Sequence, residues 1–341
     1  MNHSKITYIY VSPSGKTILF NSLEEALGSL RENGYLWIDL CDPDKKDLDP
    51  LIAPFGLHPL SIEDSTNGGQ IPKIENFPNY SFIIFNDYDM LDDDLQLNEI
   101  DLIVGKNFLI SISSQSELSQ SLHHRLEKII DLGLLNVGQG PAFLAYLILD
   151  LVVDQKLAPI ESIEDNLELD EDLILSDFSK FNPSSLMNKR RMLIALRKSV
   201  YHELEIVNRI MRRDSPFFPD KTLVFFRDIY DHLTKYSEMI ESSRELTPTL
   251  MEMYLSMLNN QMTRASNQTN AIMRRLTLIT TIFMPLTLLS GIGGMSEYTM
   301  MTQKWGWPLA YLILLVVFVI IALINFILLK RLEKNSGKLI E

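Results

Sequence analysis

Apolar residues in the first third of the chain fall into short alternating runs, and in the second half they recur every three or four positions. The alternating runs at 7–11, 16–21, 35–39, 81–86, 99–104 and 108–112 predict strands, with turn signals at Asp42-Pro43 and Asn67-Gly68-Gly69. Helical spacing predicts helices over 22–33, 116–132 and 141–176. From Pro183 onward the pattern is helical throughout. One long helix is expected to start near Asp220 and to run on into an apolar region, bent at Pro248.

That apolar region holds two candidate membrane spans. Residues 307–329 read WPLAYLILLVVFVIIALINFILL, without a charge and with one amide, Asn325. A bilayer core takes about 20 apolar helical residues, so this stretch is long enough to cross. A shorter, threonine-richer stretch precedes it at 276–293. Arg274 and Arg275 flank the first span, and Lys330, Arg331, Lys334 and Lys338 follow the second, while the connecting segment 294–306 carries Lys304 alone. The positive-inside rule then puts both ends in the cytoplasm and the short loop outside, with the inner membrane of a cell as the expected location. Nothing like a signal peptide opens the sequence, so the preceding residues are expected to stay on the side of synthesis. Trp305, Trp307 and Tyr311 suit the aromatic belt at the outer interface.

The first span bears a polar stripe. Asn270, Met273, Thr277, Thr280, Met284, Thr287 and Gly291 are separated by 3, 4, 3, 4, 3 and 4 residues, one seam of a helix wound at 3.5 residues per turn. Hydroxyls and an amide on one face of a membrane helix require either a packed neighbour or water. Two readings follow. The stripe packs against another helix, or copies of it surround an axis and line a conduit in which Met273, Leu276 and Met284 form apolar constrictions. A single hairpin cannot enclose a conduit, so the second reading requires a homo-oligomer. Pro285 can kink this span, and Gly291, Gly293 and Gly294 end it.

Composition narrows the function. The 341 residues carry a formal charge of -13, which argues against a nucleic-acid partner, since phosphate binding needs a basic footprint. The lone Cys41 excludes a disulfide framework and a cysteine zinc cluster. His58 and the pair His123/His124 lack further ligands at useful spacing and read as structural. No phosphate loop, nucleophile elbow or hydrolase metal motif occurs, so the chain does not read as an enzyme.

The segment 273–287 (MRRLTLITTIFMPLT) with Ser290-Gly291-Ile292, and 304–308 (KWGWP), resemble the two membrane helices of the CorA family of divalent-cation transporters. Similar likeness runs through 37–40 (WIDL), 55–64 (FGLHPLSIED), 72–75 (PKIE), 107–109 (NFL), 140–142 (GPA), 149–150 (LD) and 226–232 (FRDIYDH). The resemblance implies an α/β + α fold: an N-terminal helix–sheet–helix cytosolic domain, then a stalk helix continuing into the first of two membrane helices, in a funnel-shaped homopentamer. The expected divisions are 1–180 for the α/β domain with its acidic helix and 181–273 for the stalk. The first span (274–293), outer loop (294–306), second span (307–329) and a basic tail (330–341) follow. It also implies Mg2+ as transported and regulatory ion, with Co2+ and Ni2+ as further substrates. Asn270, Met273, Leu276, Met284 and Thr287 fall on the family's pore positions.

At the outer mouth the family's Gly-Met-Asn signature is matched by Gly294, Met295 and Ser296, with Gly293 where an aromatic is usual. A ring of serines is wider than one of asparagines and approaches an ion less closely. Glu297 is the only carboxylate of the outer loop and suits a charge ring for cation capture. Relative to the family's spacing, about seven extra residues lie between Tyr254 and Leu276, where Asn260-Gln261 recurs as Asn267-Gln268. A heptad is two helical turns, so it would lengthen the stalk by roughly 10 Å with the same face inward.

Two acidic runs stand out: Asp87, Asp89, Asp92, Asp93, Asp94, Glu99 and Asp101, and the carboxylates of 161–177. Either they are solvated surface or they repel across subunits until a hard cation bridges them. In the family a sensing site pairs the aspartate of the FRD-type motif, matched by Asp228, with a carboxylate of the next subunit's α/β domain; Asp87 and Asp89 are the candidates. Three functions are thus distinguished: a pentameric cation channel gated by internal cation, a zinc transporter of the same superfamily (proton coupling included), and a membrane-anchored sensor that does not conduct.

Overall fold

A computed structural model describes residues 5–30, 33–91, 94–114, 137–301 and 303–336. Two compact units emerge, Met1–Tyr254 and Leu255–Glu341. The first is built on a seven-stranded sheet of β1 (Lys5–Val11), β2 (Thr17–Phe20), β3 (Tyr35–Cys41), β4 (Lys73–Asn76), β5 (Tyr80–Leu91), β6 (Asp94–Gly105) and β7 (Phe108–Ser113). The spatial order is β2–β1–β3–β7–β6–β5–β4, and every pair is antiparallel except β3–β7. Strands β3 and β7 carry apolar residues on both faces because both faces are covered.

One face builds a single core. Leu36, Ile38 and Leu40 of β3, Phe82 and Ile84 of β5, and Ile110 and Ile112 of β7 meet three short helices there. These are α1 (Leu23–Ser29), α2 (Lys45–Phe55) and α3 (Pro59–Thr66), which bring Ala26, Leu48, Leu51, Phe55 and Ile62. The alternate residues Trp37, Ile83, Leu102 and Leu109 are buried as well, on the side covered by α4 (Pro141–Gln155). Helix α5 (Leu157–Asp177) packs beside α4 and β5, and helix α6 (Pro183–Met211) packs on α5 and along β4 and β5. The result is the helix–sheet–helix layering expected.

Local chemistry accounts for the short helices. Asp44 caps α2 by accepting from Lys46 N–H at 2.8 Å and Asp47 N–H at 3.2 Å, while Asp47 accepts from Asp44 N–H at 3.0 Å. The helix ends at Gly56, whose φ of 64° is the left-handed region a glycine enters freely. His58 caps α3, its Nδ1 accepting from Leu60 N–H at 3.2 Å, so its structural reading holds.

Several expectations are corrected. Helix α1 is half the length expected; α2, α3 and the polar edge strand β4 were not expected at all. The helix expected over 141–176 is two, divided at Lys156. The helix expected over 116–132, with His123 and His124, lies outside the described residues.

Helix α7 (Asp220–Gly293) begins in the first unit and ends in the second, continuing through Pro248 and Pro285 as one helix. The second unit adds α8 (Ser296–Met301) and α9 (Trp307–Ser336). Both α7 and α9 contain a segment long and apolar enough to cross a membrane.

Candidate conduit and regulatory sites

Within the second unit, every member of the stripe on α7 is exposed, Asn270, Met273, Thr277, Thr280, Met284, Thr287 and Gly291, as is the adjacent Leu276. Exposure reaches 71% at Met284. The side turned toward α9 is different. Gly293 is buried, and a Cβ added there would lie 2.7 Å from Leu314 Cδ2 of α9; Ala310, one turn earlier on α9, is buried too. The hairpin therefore uses its small residues for its own contact and leaves the stripe on the uncovered side.

The threonines satisfy their protons locally. Thr277 donates to the Met273 carbonyl, Thr280 to Leu276 and Thr287 to Phe283, each at 2.8 Å. Such back-bonding removes any need for a second helix to accept those hydroxyl protons, and it leaves the oxygen lone pairs facing outward. The outer-mouth residues follow directly. Gly294 N–H and Met295 N–H bond back to the Ser290 and Ile292 carbonyls at 3.0 and 3.1 Å, closing α7. Ser296 and Glu297 then open α8, and Gly294, Met295 and Ser296 are exposed.

In the first unit, Asp228 lies on the exposed side of α7. It belongs to a group with Asp150 and Asp154, of which sequence reading singled out Asp228 alone. Burial first, then the charges of Asp154 and Asp228, push the Asp150 carboxyl up to about 6. Burial and the Asp150 charge likewise raise the Tyr146 hydroxyl to about 12. His232 Nδ1 stands 3.6 Å from Asp154 Oδ1. The signal was present as two four-residue spacings, Asp150/Asp154 on α4 and Asp228/His232 on α7, which set each pair on one helix face. The three carboxylates are hard oxygen donors of the kind Mg2+ takes. Among the described residues, however, no three His, Cys, Asp or Glu side chains converge on a point that could hold a metal ion.

Asp87 is corrected. It is not an exposed neighbour of Asp89 but fully buried beside Lys156, and so cannot reach another subunit. Burial pushes its carboxyl up to about 6 against the pull of Lys156. Asp89 is half-buried two positions further along β5. Asp92 and Asp93 lie outside the described residues.

Comparison with known proteins agrees with this architecture. Residues 32–331 match the family model described as CorA-like Mg2+ transporter protein. The chain is 30% identical over 299 residues to the cobalt/magnesium transport protein CorA of Thermotoga maritima, covering 86% of this chain and 82% of that one. The complete structure of the CorA magnesium transporter from Methanocaldococcus jannaschii superposes with a TM-score of 0.70 at 22% identity, over 97% of this chain and 99% of that one. The ZntB cytoplasmic domain from Vibrio parahaemolyticus superposes at 0.58 with 11% identity, over 74% of this chain and 98% of its own, a likeness of fold.

Proposed function

Because the chain belongs to the family of CorA-like Mg2+ transporter proteins, and so is a transporter rather than an enzyme, we propose that it conducts hydrated Mg2+ through a homopentameric pore. The observation that carries this reading is the outward stripe of α7, polar within an otherwise apolar span and left uncovered by the chain's own second span. The back-bonded threonines need no partner for their protons, but their outward lone pairs and the Asn270 amide are suited to water, which a ring of copies can enclose. Asn270, Thr277, Thr280, Thr287 and Gly291 line the wet path, and Met273, Leu276 and Met284 narrow it. Gly294, Met295, Ser296 and Glu297 form the outer mouth. Mg2+ dehydrates reluctantly, which suits a path of oxygen acceptors that touch its water shell instead of stripping it. Arg274, Arg275, Lys330 and Arg331 favour cytoplasmic ends.

Regulation is assigned to the carboxylates around Asp228. Their crowding disfavours close approach of the soluble parts at low cation, and a divalent ion completed by a ligand from the neighbouring subunit, with Asp89 the candidate, relieves it.

Ion uptake into liposomes holding the purified protein tests the conduit, with Mg2+, Co2+, Ni2+ and Zn2+ compared. Mg2+ uptake is expected, and Asn270→Leu or Thr287→Val is expected to lower it by about tenfold or more by drying the path, with assembly intact. Unchanged uptake in both variants overturns the pore-lining assignment. Ser296 keeps a zinc reading in view: Zn2+ uptake that needs a pH gradient would replace Mg2+ by Zn2+, and no uptake of any ion would leave a sensor.

A further inference from the structure

Helices α5 and α6 each present an outward face that the fold leaves uncovered, and the two faces are opposite in charge. On α5, Glu161, Asp165, Glu168 and Asp172 are separated by 4, 3 and 4 residues, with Leu169 and Leu173 alongside at 59% and 36% exposure. Glu161, Asp165, Glu168 and Asp172 form one continuous stripe opposite the buried Ile160, Ile163, Leu167 and Ile174. On α6, Arg190, Ile194, Arg197 and Tyr201 follow the same 4, 3 and 4 spacing, with Arg191 and Lys198 beside them. Ile194 and Tyr201 are 50% and 66% exposed. Arg197 is engaged 3.3 Å from Glu241 of α7.

We propose that the acidic leucine face of α5 docks on the basic face of α6 of a second copy of this chain, one such contact linking each pair of neighbours in the ring. The proposal rests on the homo-oligomeric reading above. Charge complementarity selects the occupant, since the chain is strongly acidic and most surfaces of a second copy would be repelled by α5. The equal repeats matter too. Stripes of period 3.5 stay in contact along two crossing helices, so Leu169 and Leu173 meet Ile194 and Tyr201 while carboxylates flank the arginines and Lys198. Because the two faces are different patches of one chain, the contact can run head-to-tail from copy to copy, as the ring of the homo-oligomeric reading requires.

Full-length protein in detergent provides the test, by measuring the mass of the assembly on dilution. Arg190→Glu/Arg191→Glu/Lys198→Glu is expected to raise the half-dissociation concentration by at least about tenfold, as is Asp165→Lys/Glu168→Lys/Asp172→Lys, and combining both sets to restore it to within about threefold. Wild-type dissociation should become easier in high salt. Reversals without effect, or a combination no better than either set, overturn the interface. For variants that fold poorly, Leu169→Cys with Ile194→Cys in a Cys41→Ser background supplies a second measurement. Oxidation should yield a ladder of covalent oligomers, and its absence rejects the contact. A monomeric wild type would instead sink the homo-oligomeric reading itself, whereas an intact wild-type assembly indifferent to every variant sinks only this interface.

Discussion

Lys156 Nζ lies 2.8 Å from Glu203 Oε1, and neither side chain reaches solvent. The lysine sits at the break between α4 and α5, donates also to the Asn86 carbonyl, and lies 3.9 Å from the centre of the Tyr88 ring. Glu203 in turn accepts from Asn86 N–H at 3.2 Å, so one ion pair ties β5, the α4–α5 junction and α6 together. Burial pulls the Lys156 ammonium below the ordinary lysine value even against Glu203. Lys156→Met strands the glutamate and is expected to destabilise the soluble part by about 3–5 kcal/mol. Lys156→Met/Glu203→Met should recover most of that loss. Denaturant midpoints of the three proteins check this; a double variant no more stable than the single would reject the pair as the cause.

Asp87 makes stability fall with rising pH over a defined window. Its carboxyl ionises near 3.8 when unfolded and at about 6 when folded, so between those values the folded form holds a proton the unfolded form has lost. The stabilisation is complete below the lower value and gone above the upper, with an upper bound of about 3 kcal/mol. Asp87→Asn should therefore match wild type near pH 4 and exceed it near pH 7. Parallel unfolding curves for the two proteins across that window would contradict the assignment.

The contact of Gly293 with Leu314 limits what the outer end of the first span can hold. A Cβ at Gly293 would already stand 2.7 Å from Leu314 Cδ2, so Gly293→Phe must displace the Leu314 side chain, and its ring is expected to force the two helices apart. Expression in the membrane and thermal stability in detergent should both drop, by about 1–3 kcal/mol in stability terms for overpacking. Leu314→Ala in the same chain should restore part of the loss. Tolerance of the phenylalanine on its own would mean the helices do not meet there.

Regulation offers a protease test. Asp228→Lys places a cation amid Asp150 and Asp154, so the soluble part should resist protease without Mg2+ about as well as wild type does with it. Identical Mg2+ titrations of protease resistance in the two proteins would remove Asp228 from sensing.

Much of this was readable from the residues because the strongest signals are periodic. Two long apolar helices and the seam from Asn270 to Gly291 are written in spacing alone, and the strands with alternating Val, Ile and Tyr were placed within a few positions. What escaped has physical causes. Helix α2 contains Pro50 and Pro54 and is held by its capping box more than by propensity, while β4 reads Lys-Ile-Glu-Asn and looks like a loop. The division at Lys156 is signalled by Pro159, which has no N–H to bond the Gln155 carbonyl four residues back, but nothing in a charged lysine between good helix formers announces full burial. Asp87 and Asp101 were read as part of a wet acidic run, yet both are buried. A strand covered on two sides hides its charges in a way that counting charges cannot detect.

The back-bonded threonines of α7 have a further consequence. Each has committed its single proton to the preceding turn, so a wall made of them can accept hydrogen bonds but not give them. Water around a metal ion points both hydrogens outward and finds acceptors at Thr277, Thr280 and Thr287; water around chloride turns one hydrogen inward, and its oxygen finds no donor among those threonines. Rejection of anions would in this way be built into the helix's own backbone bonding, without a single charged side chain inside the lipid.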